Sequence, residues 1–371
     1  MADEQGRLGR PSSRRRGGGA VGPGEIDRLT QALGGSNNAF TSHDATVYYF
    51  NFAADRWTEA LAIEADRMAN LTLDPEQVAS ERQVILEEIA MYESEPWDAL
   101  EMAVHSRLFA GHDYGRQVLG TREELLATGA EDLRGFHRRF YRPDNAVLVV
   151  AGDIGEDALA AVERTLGALP AGAEPRRGFT PPAARPAALE RLERHKGEVA
   201  RLLLALPAPH GSHADHAPLR LASVVLGGGR TSRLQHTLVE EEQLCVWVVA
   251  DLSEGLDASM MTIAAEVVPG VDPARVEARV RELLEDLRRH PPDEEELERC
   301  RQIAAADWVF GHEKVHQQAR SVGIALGLFD LEHLDLHLER LLAAGAGHLL
   351  EVADRYLRPE RGVIGWSLPK S

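Results

Sequence analysis

The chain has 371 residues, 44% apolar and 27% charged, with a net charge of −18. That length suggests about two domains and a core that needs no disulfide or metal to fold. No run approaches a membrane-spanning apolar stretch, and the acidity argues against a nucleic-acid partner. Cys245 and Cys300 lie 55 residues apart and form no CxxC, which excludes a disulfide scaffold and a thiolate zinc finger. Three of the 41 basic residues are lysine, so the arginines reflect coding bias and carry no function as a class.

Residues 1–22 show no apolar periodicity. They read as a disordered or misread N-terminus. The basic run Arg14–Arg16 has no apolar segment after it and does not read as a secretory signal; the compartment stays open, with a cytoplasmic chain the expectation as written. Residues 23–167 form a first domain. GEIDRLTQAL predicts a short helix stopped by Gly34-Gly35, and NNAFTS and DATVYYFNF alternate as two strands. Helices follow at 55–70, 75–93, 97–110 and 132–140, the second opened by Pro75. AVLVVAGDI at 146–154 reads as a buried strand, with a helix at 156–166 behind it.

Residues 168–186, rich in Pro, Ala and Gly, read as a linker to a second domain at 187–371. That domain predicts strands near 187–206 and 243–267, a helix at 214–225, helices from 272 to 356, and a final strand at 362–368. FHRRFYRPDNAVLVV and VADRYLRPERGVIGW echo each other, their Arg-Pro steps at 142 and 358 being 216 residues apart. Such an echo at the end of each half marks a duplication.

Three constellations bear on chemistry. Glu81 and Glu88 are seven residues apart, two helical turns, so they share a face with Ile85, Ile89 and Tyr92. Carboxylates on an apolar stripe need an arginine or a cation. His312-Glu313-Lys314-Val315-His316 fits HExxH, which on one helix face would offer two histidines to zinc and Glu313 as base, with Asp335 or Glu339 as third ligand. GGGRTSRL at 227–234 lacks the spacing of a phosphate loop.

The ordered run GEIDRLTQALGGSNNAFTSHDATVYYF, SERQVILEEIAMYE, GHDYGRQVLGTREEL and FYRPDNAVLVVAGDI resembles the M16 metallopeptidases, the pitrilysin, insulinase and processing-peptidase group. The resemblance implies an α+β fold of two duplicated α/β halves, each a mostly antiparallel sheet backed by helices, the first incomplete here. It implies zinc-dependent cleavage of extended peptides, with HxxEH supplying two histidine ligands and the base. Glu88 matches the third ligand and Glu81 the carboxylate that orients the site. Asn38 and Ala39 match an edge strand that pairs with substrate. Arg233 matches a substrate-contacting arginine whose tyrosine partner is replaced by Val246. His112 and Tyr114 match a loop beside the cleft.

The chain departs from that pattern at its start. The place of HxxEH falls on residues 8–12, which read Leu8-Gly9-Arg10-Pro11-Ser12, and no histidine precedes His43. Two ligands and the base are absent from the sequence. The expectation is a chain inactive as written, unable to hold zinc through Glu88 alone. Its expected partners are an extended peptide and a second M16 subunit or a second copy. An HExxH hydrolase using His312 and His316 is the alternative.

Overall fold

The computed structural model describes residues 24–172, 186 and 188–370. The expectations for residues 1–22 and for most of the linker at 168–186 lie outside the described residues. In chain order the elements are α1 (Glu25–Ala32), β1 (Ser36–Thr41), β2 (Thr46–Asn51), α2 (Trp57–Asn70), α3 (Pro75–Ser94), α4 (Pro96–Leu108), α5 (Arg122–Ala127), α6 (Ala130–Phe140) and α7 (Ala158–Leu166). There follow β3 (Glu190–His195), β4 (Arg201–Ala208), α8 (His216–Gly227), α9 (Arg233–Gln235), β5 (Cys245–Leu252), β6 (Ser259–Val267), α10 (Pro273–Arg289) and α11 (Glu294–Gly311). The chain ends with α12 (Val315–Leu328), α13 (Leu331–Asp335), α14 (His337–Ala343), α15 (Ala346–Tyr356) and β7 (Val363–Leu368). No helix among the described residues is long and apolar enough to cross a membrane.

The chain divides into two compact units. One takes residues up to 90, 118–178 and 312–331; the other takes 91–117, 179–311 and 332–371. The contiguous domains expected at 23–167 and 187–371 thus each give one segment to the other unit.

In the first unit, β1 and β2 pair antiparallel in the register Ser36↔Asn51 to Thr41↔Thr46. Ser42 closes the turn by donating its amide to the Ala45 carbonyl at 2.8 Å. The two strands form a sheet by themselves among the described residues. The fully buried apolar side chains of this unit are Ala39, Leu61, Ile85, Ile89, Ala161 and Ala325. They form no continuous core, since both large apolar clusters belong to the second unit.

The second unit is built on a five-stranded sheet in the order β3-β7-β4-β6-β5, antiparallel except for the β3–β7 pair. β4 reads RLLLALPA, a nearly continuous apolar run, which is the signature of a strand covered on both faces. Alternation explains the run. Leu202, Leu204 and Leu206 face a core shared with α8, α10, α11 and α15. Leu203 and Ala205 face α4, through Leu100, Val104 and Leu108. α4 lies directly on β7 at Gly365, where an added Cβ would sit 2.5 Å from Val104 and 2.7 Å from Leu100. Cys245 and Cys300 are free and buried, and burial pushes their thiols up to about 12 and about 11.

The Arg-Pro echo is real as local structure. After α6, Pro143–Asn145 forms a 3₁₀ turn with proline at its first position, and Pro359–Arg361 does the same after α15. The chains then part. Residues 363–368 become β7, an interior strand between β3 and β4. The strand expected at 146–154 does not form, and Leu148 is 45% exposed. A strand exists only through its ladder, and no described segment pairs with this one.

Candidate functional site

α3 carries the two candidate carboxylates. Asp74 caps it, accepting the Glu76 amide at 2.9 Å, and Pro75 opens it. Two arginines fix its surroundings through backbone carbonyls: Arg82 donates to Thr128 and Arg134 to Leu73, each at 2.6 Å. Ile85 and Ile89 are buried on the inner face. Glu88 is half-buried, its Oε1 shielded from solvent. Glu81 corrects the sequence reading: it is exposed rather than on a buried face.

Ala39 is buried within β1, and its amide is taken by Asn38 Oδ1 at 2.9 Å. A peptide adding to this amide must first displace the Asn38 side chain. On β2, Tyr48 shares a 2.8 Å hydrogen bond with the Tyr141 hydroxyl and lies under the Arg67 guanidinium, 3.4 Å from ring centroid to Cζ. Glu64 takes both sides of that guanidinium. Burial, with Tyr141 beside it, holds the Tyr48 phenol above its usual range. This cluster was not legible in the sequence, because Tyr48, Arg67 and Tyr141 share no periodicity.

Arg233 is engaged by the protein itself. Its guanidinium donates to both oxygens of Glu296 at 2.9 and 2.8 Å, to Asp286 at 3.1 Å and to the His290 carbonyl at 3.0 Å. The side chain is 15% exposed. It ties α9 to α10 and α11, while Val246 stands 52% exposed on β5.

His112 and Tyr114 are also internal. His112 Nδ1 accepts the Tyr114 amide at 3.1 Å, and Nε2 faces Asp257 at 3.4 Å. The Tyr114 hydroxyl accepts the Asp257 amide at 3.0 Å. The ring packs on Gly255, where any side chain would collide with the Ala258 carbonyl. These contacts brace the turn after α4 against the β5–β6 connection.

The HExxH reading fails on geometry. α11 ends at Gly311, Lys314 is extended (φ −93°, ψ 141°), and α12 starts at Val315. Two histidines four apart face together only on a continuous helix, and this break separates His312 from His316. Asp335 and Glu339 lose their proposed role with it.

Among the described residues, one group of three metal-type side chains converges: Glu254, His333 and His337, whose ligand atoms lie within 4.8 Å of one another. His333 Nε2 is 2.9 Å from Glu254 Oε1. Burial pushes the His337 imidazole down to about 4, so it is neutral. The sequence signal was the pair His333 and His337; Glu254, 79 residues away, carried none. Neither Glu81 nor Glu88 belongs to this group. Among the described residues Glu88 belongs to no group of three metal-type side chains, and a catalytic zinc needs about three protein ligands.

Comparison with known proteins follows the geometry. Residues 21–122 match the family profile "Insulinase (Peptidase family M16)", and residues 129–304 match "Peptidase M16 inactive domain". The chain is 32% identical over 240 residues to the uncharacterised zinc protease YmxG of Bacillus subtilis, a match covering 64% of this chain and 58% of that protein. It is 25% identical over 343 residues to zinc protease PqqE of Helicobacter pylori, covering 90% and 77%. The first of these matches thus spans less than two thirds of the relative's length. In three dimensions the chain is similar to a crystal structure of a protease from Helicobacter pylori, with a TM-score of 0.88 at 22% identity, over 99% of this chain and 88% of that one.

Proposed function

The chain belongs to the M16 peptidase family, and from that premise we propose that it is a zinc-metalloendopeptidase homologue that does not cleave peptides by itself. It keeps the third-ligand position at Glu88 and lacks the HxxEH histidines and base. The observation that carries this is Glu88 itself. Its Oε1 is shielded on α3 between buried Ile85 and Ile89, and it joins no converging group of metal-type side chains among the described residues.

In this reading an extended peptide adds to β1 at Asn38 and Ala39, and a second M16 subunit or copy completes the assembly. The match of residues 129–304 to a domain described as inactive supports a holding role for that part. Arg233 acts as a brace, with no part in substrate contact, because Glu296, Asp286 and His290 already occupy it. The broken helix at 312–314 speaks against an HExxH hydrolase.

The test joins a family segment bearing HxxEH in front of residue 22 and measures cleavage of an unstructured peptide with zinc present. The chain as given should cleave nothing, and the joined protein should cleave. In the joined protein Glu88→Gln should abolish cleavage, and Glu81→Gln should weaken it by about 10–100-fold, as loss of an outer carboxylate does. Glu87→Gln should do little, since its neighbour's direction differs by about 100°. Cleavage by the chain alone would refute the proposed inactivity. A joined protein that binds zinc through Glu88 and still cleaves nothing would favour a purely peptide-binding or subunit-binding role.

A further inference from the structure

We propose that Glu254, His333 and His337 form a zinc site that pins the β5–β6 connection to the junction of α13 and α14. The site shares no residue with Glu81 or Glu88 and stands independently of the peptidase reading.

Glu254 lies in the connection between β5 and β6, while His333 lies in α13 and His337 opens α14. Two remote segments therefore bring one carboxylate and two imidazoles to a single point. Leu336 joins the two short helices in a helical conformation (φ −91°, ψ −1°), its amide bonded to the Glu332 carbonyl at 3.0 Å, so His333 and His337, four residues apart, share a face.

A tetrahedral zinc with bonds of about 2.0–2.1 Å places neighbouring ligand atoms about 3.3 Å apart. The observed separations run from 2.9 Å for His333 Nε2 to Glu254 Oε1 up to 4.8 Å within the group. They bracket the required value, and side-chain rotations of roughly an ångström would close them.

The surroundings fit a ligand set better than a plain ion pair. The Glu254–His333 pair alone would leave His337 without a purpose. No described group hydrogen-bonds the His337 ring; it stacks instead on Trp308, with centroids 4.5 Å apart and planes 14° apart. Stacking orients an imidazole and leaves its nitrogen lone pair available. His216 Nε2 donates to the Ser253 carbonyl at 3.2 Å, which fixes the residue just before Glu254. Such outer contacts typically aim a metal ligand. Arg220 is engaged by Asp251 at 2.6 Å.

The donor types select the ion. Two imidazoles with one carboxylate suit zinc and its neighbours among the first-row metals, whereas calcium and magnesium demand oxygen donors. Three protein ligands leave a fourth position to water. The site's role in this proposal is to hold two segments together.

The full chain, stripped with a chelator and titrated with zinc chloride alone, tests this by calorimetry and elemental analysis. One zinc per chain should bind, with no competition from magnesium or calcium. Glu254→Gln and His337→Asn should each weaken binding at least about tenfold. Glu88→Gln, His312→Ala and His213→Ala should leave it unchanged. Cobalt loading should give the visible bands of a tetrahedral complex, lost in Glu254→Gln. Glu254 sits on an exposed turn, so that variant serves should His337→Asn fold poorly. Failure to bind one zinc, binding unchanged in Glu254→Gln, or loss in any of the three control variants would overturn the proposal. Because the chain is used without any HxxEH segment, the result does not depend on peptide cleavage, and the Glu88→Gln control separates this site from the one proposed at α3.

Discussion

At the scale of single residues, charged side chains here serve the fold as often as any chemistry. Glu277 on α10 is buried, yet it accepts both arms of Arg191 on β3 and the Trp366 indole N–H at 3.2 Å. Burial pushes its carboxyl up, but those hydrogen bonds outweigh it and leave it below the usual range. A carboxylate depressed in the folded state stabilises above the unfolded value of about 4.3, and that stability drains away as pH falls through the folded value. Glu277→Gln should therefore cost about 1–2 kcal/mol at neutral pH and flatten the acid side of the stability profile. The magnitude stays modest because Arg191 is 56% exposed. Urea midpoints measured across the acid range would show it; an unchanged acid limb would refute it. Arg233 teaches the same lesson, since the sequence placed it at a substrate and packing placed it in a bracket of carboxylates.

At the scale of elements, the contact of α4 with the sheet depends on one missing side chain. Gly365 lets the helix backbone approach β7, with Leu100 and Val104 filling the space a Cβ would need. Gly365→Ala should destabilise the protein by about 1–3 kcal/mol through overpacking. Leu100→Ala should cost about 2–5 kcal/mol by leaving a cavity. Combined, the two should cost less than their sum, because the new methyl enters the space that Leu100 vacates. A double-mutant cycle showing strict additivity would contradict this packing. The periodicity of α4 foretold a helix; it held no information on which sheet the helix would cover.

At the scale of the whole molecule, the two units differ in what holds them. The second has a sheet covered on both faces, with Leu100, Leu202, Leu204, Leu206, Leu219 and Leu221 essentially inaccessible. The first has a two-stranded hairpin, which is marginal by itself, and a few scattered buried side chains. Hydrogen exchange should accordingly be faster in β1, β2, α2 and α3 than in β4, β6 and β7, by about tenfold or more in protection. Equal protection would mean that the first unit has a source of stability absent from its described contacts.

The sequence by itself determined most helices and strands, the duplicated Arg-Pro turn and the family, because each is written in local periodicity or in ordered motifs. It placed Ile85 and Ile89 on one face of α3, both buried, since a helix converts spacing into direction. Several matters were settled only in three dimensions: the loss of the strand at 146–154, the segments exchanged between units, the break in the HExxH helix, and the meeting of Glu254 with His333 and His337. Each depends on a partner far along the chain. A strand needs another strand's amides, a helix needs a surface to bury its apolar face, and a ligand set needs side chains that share a point in space while remaining remote in sequence.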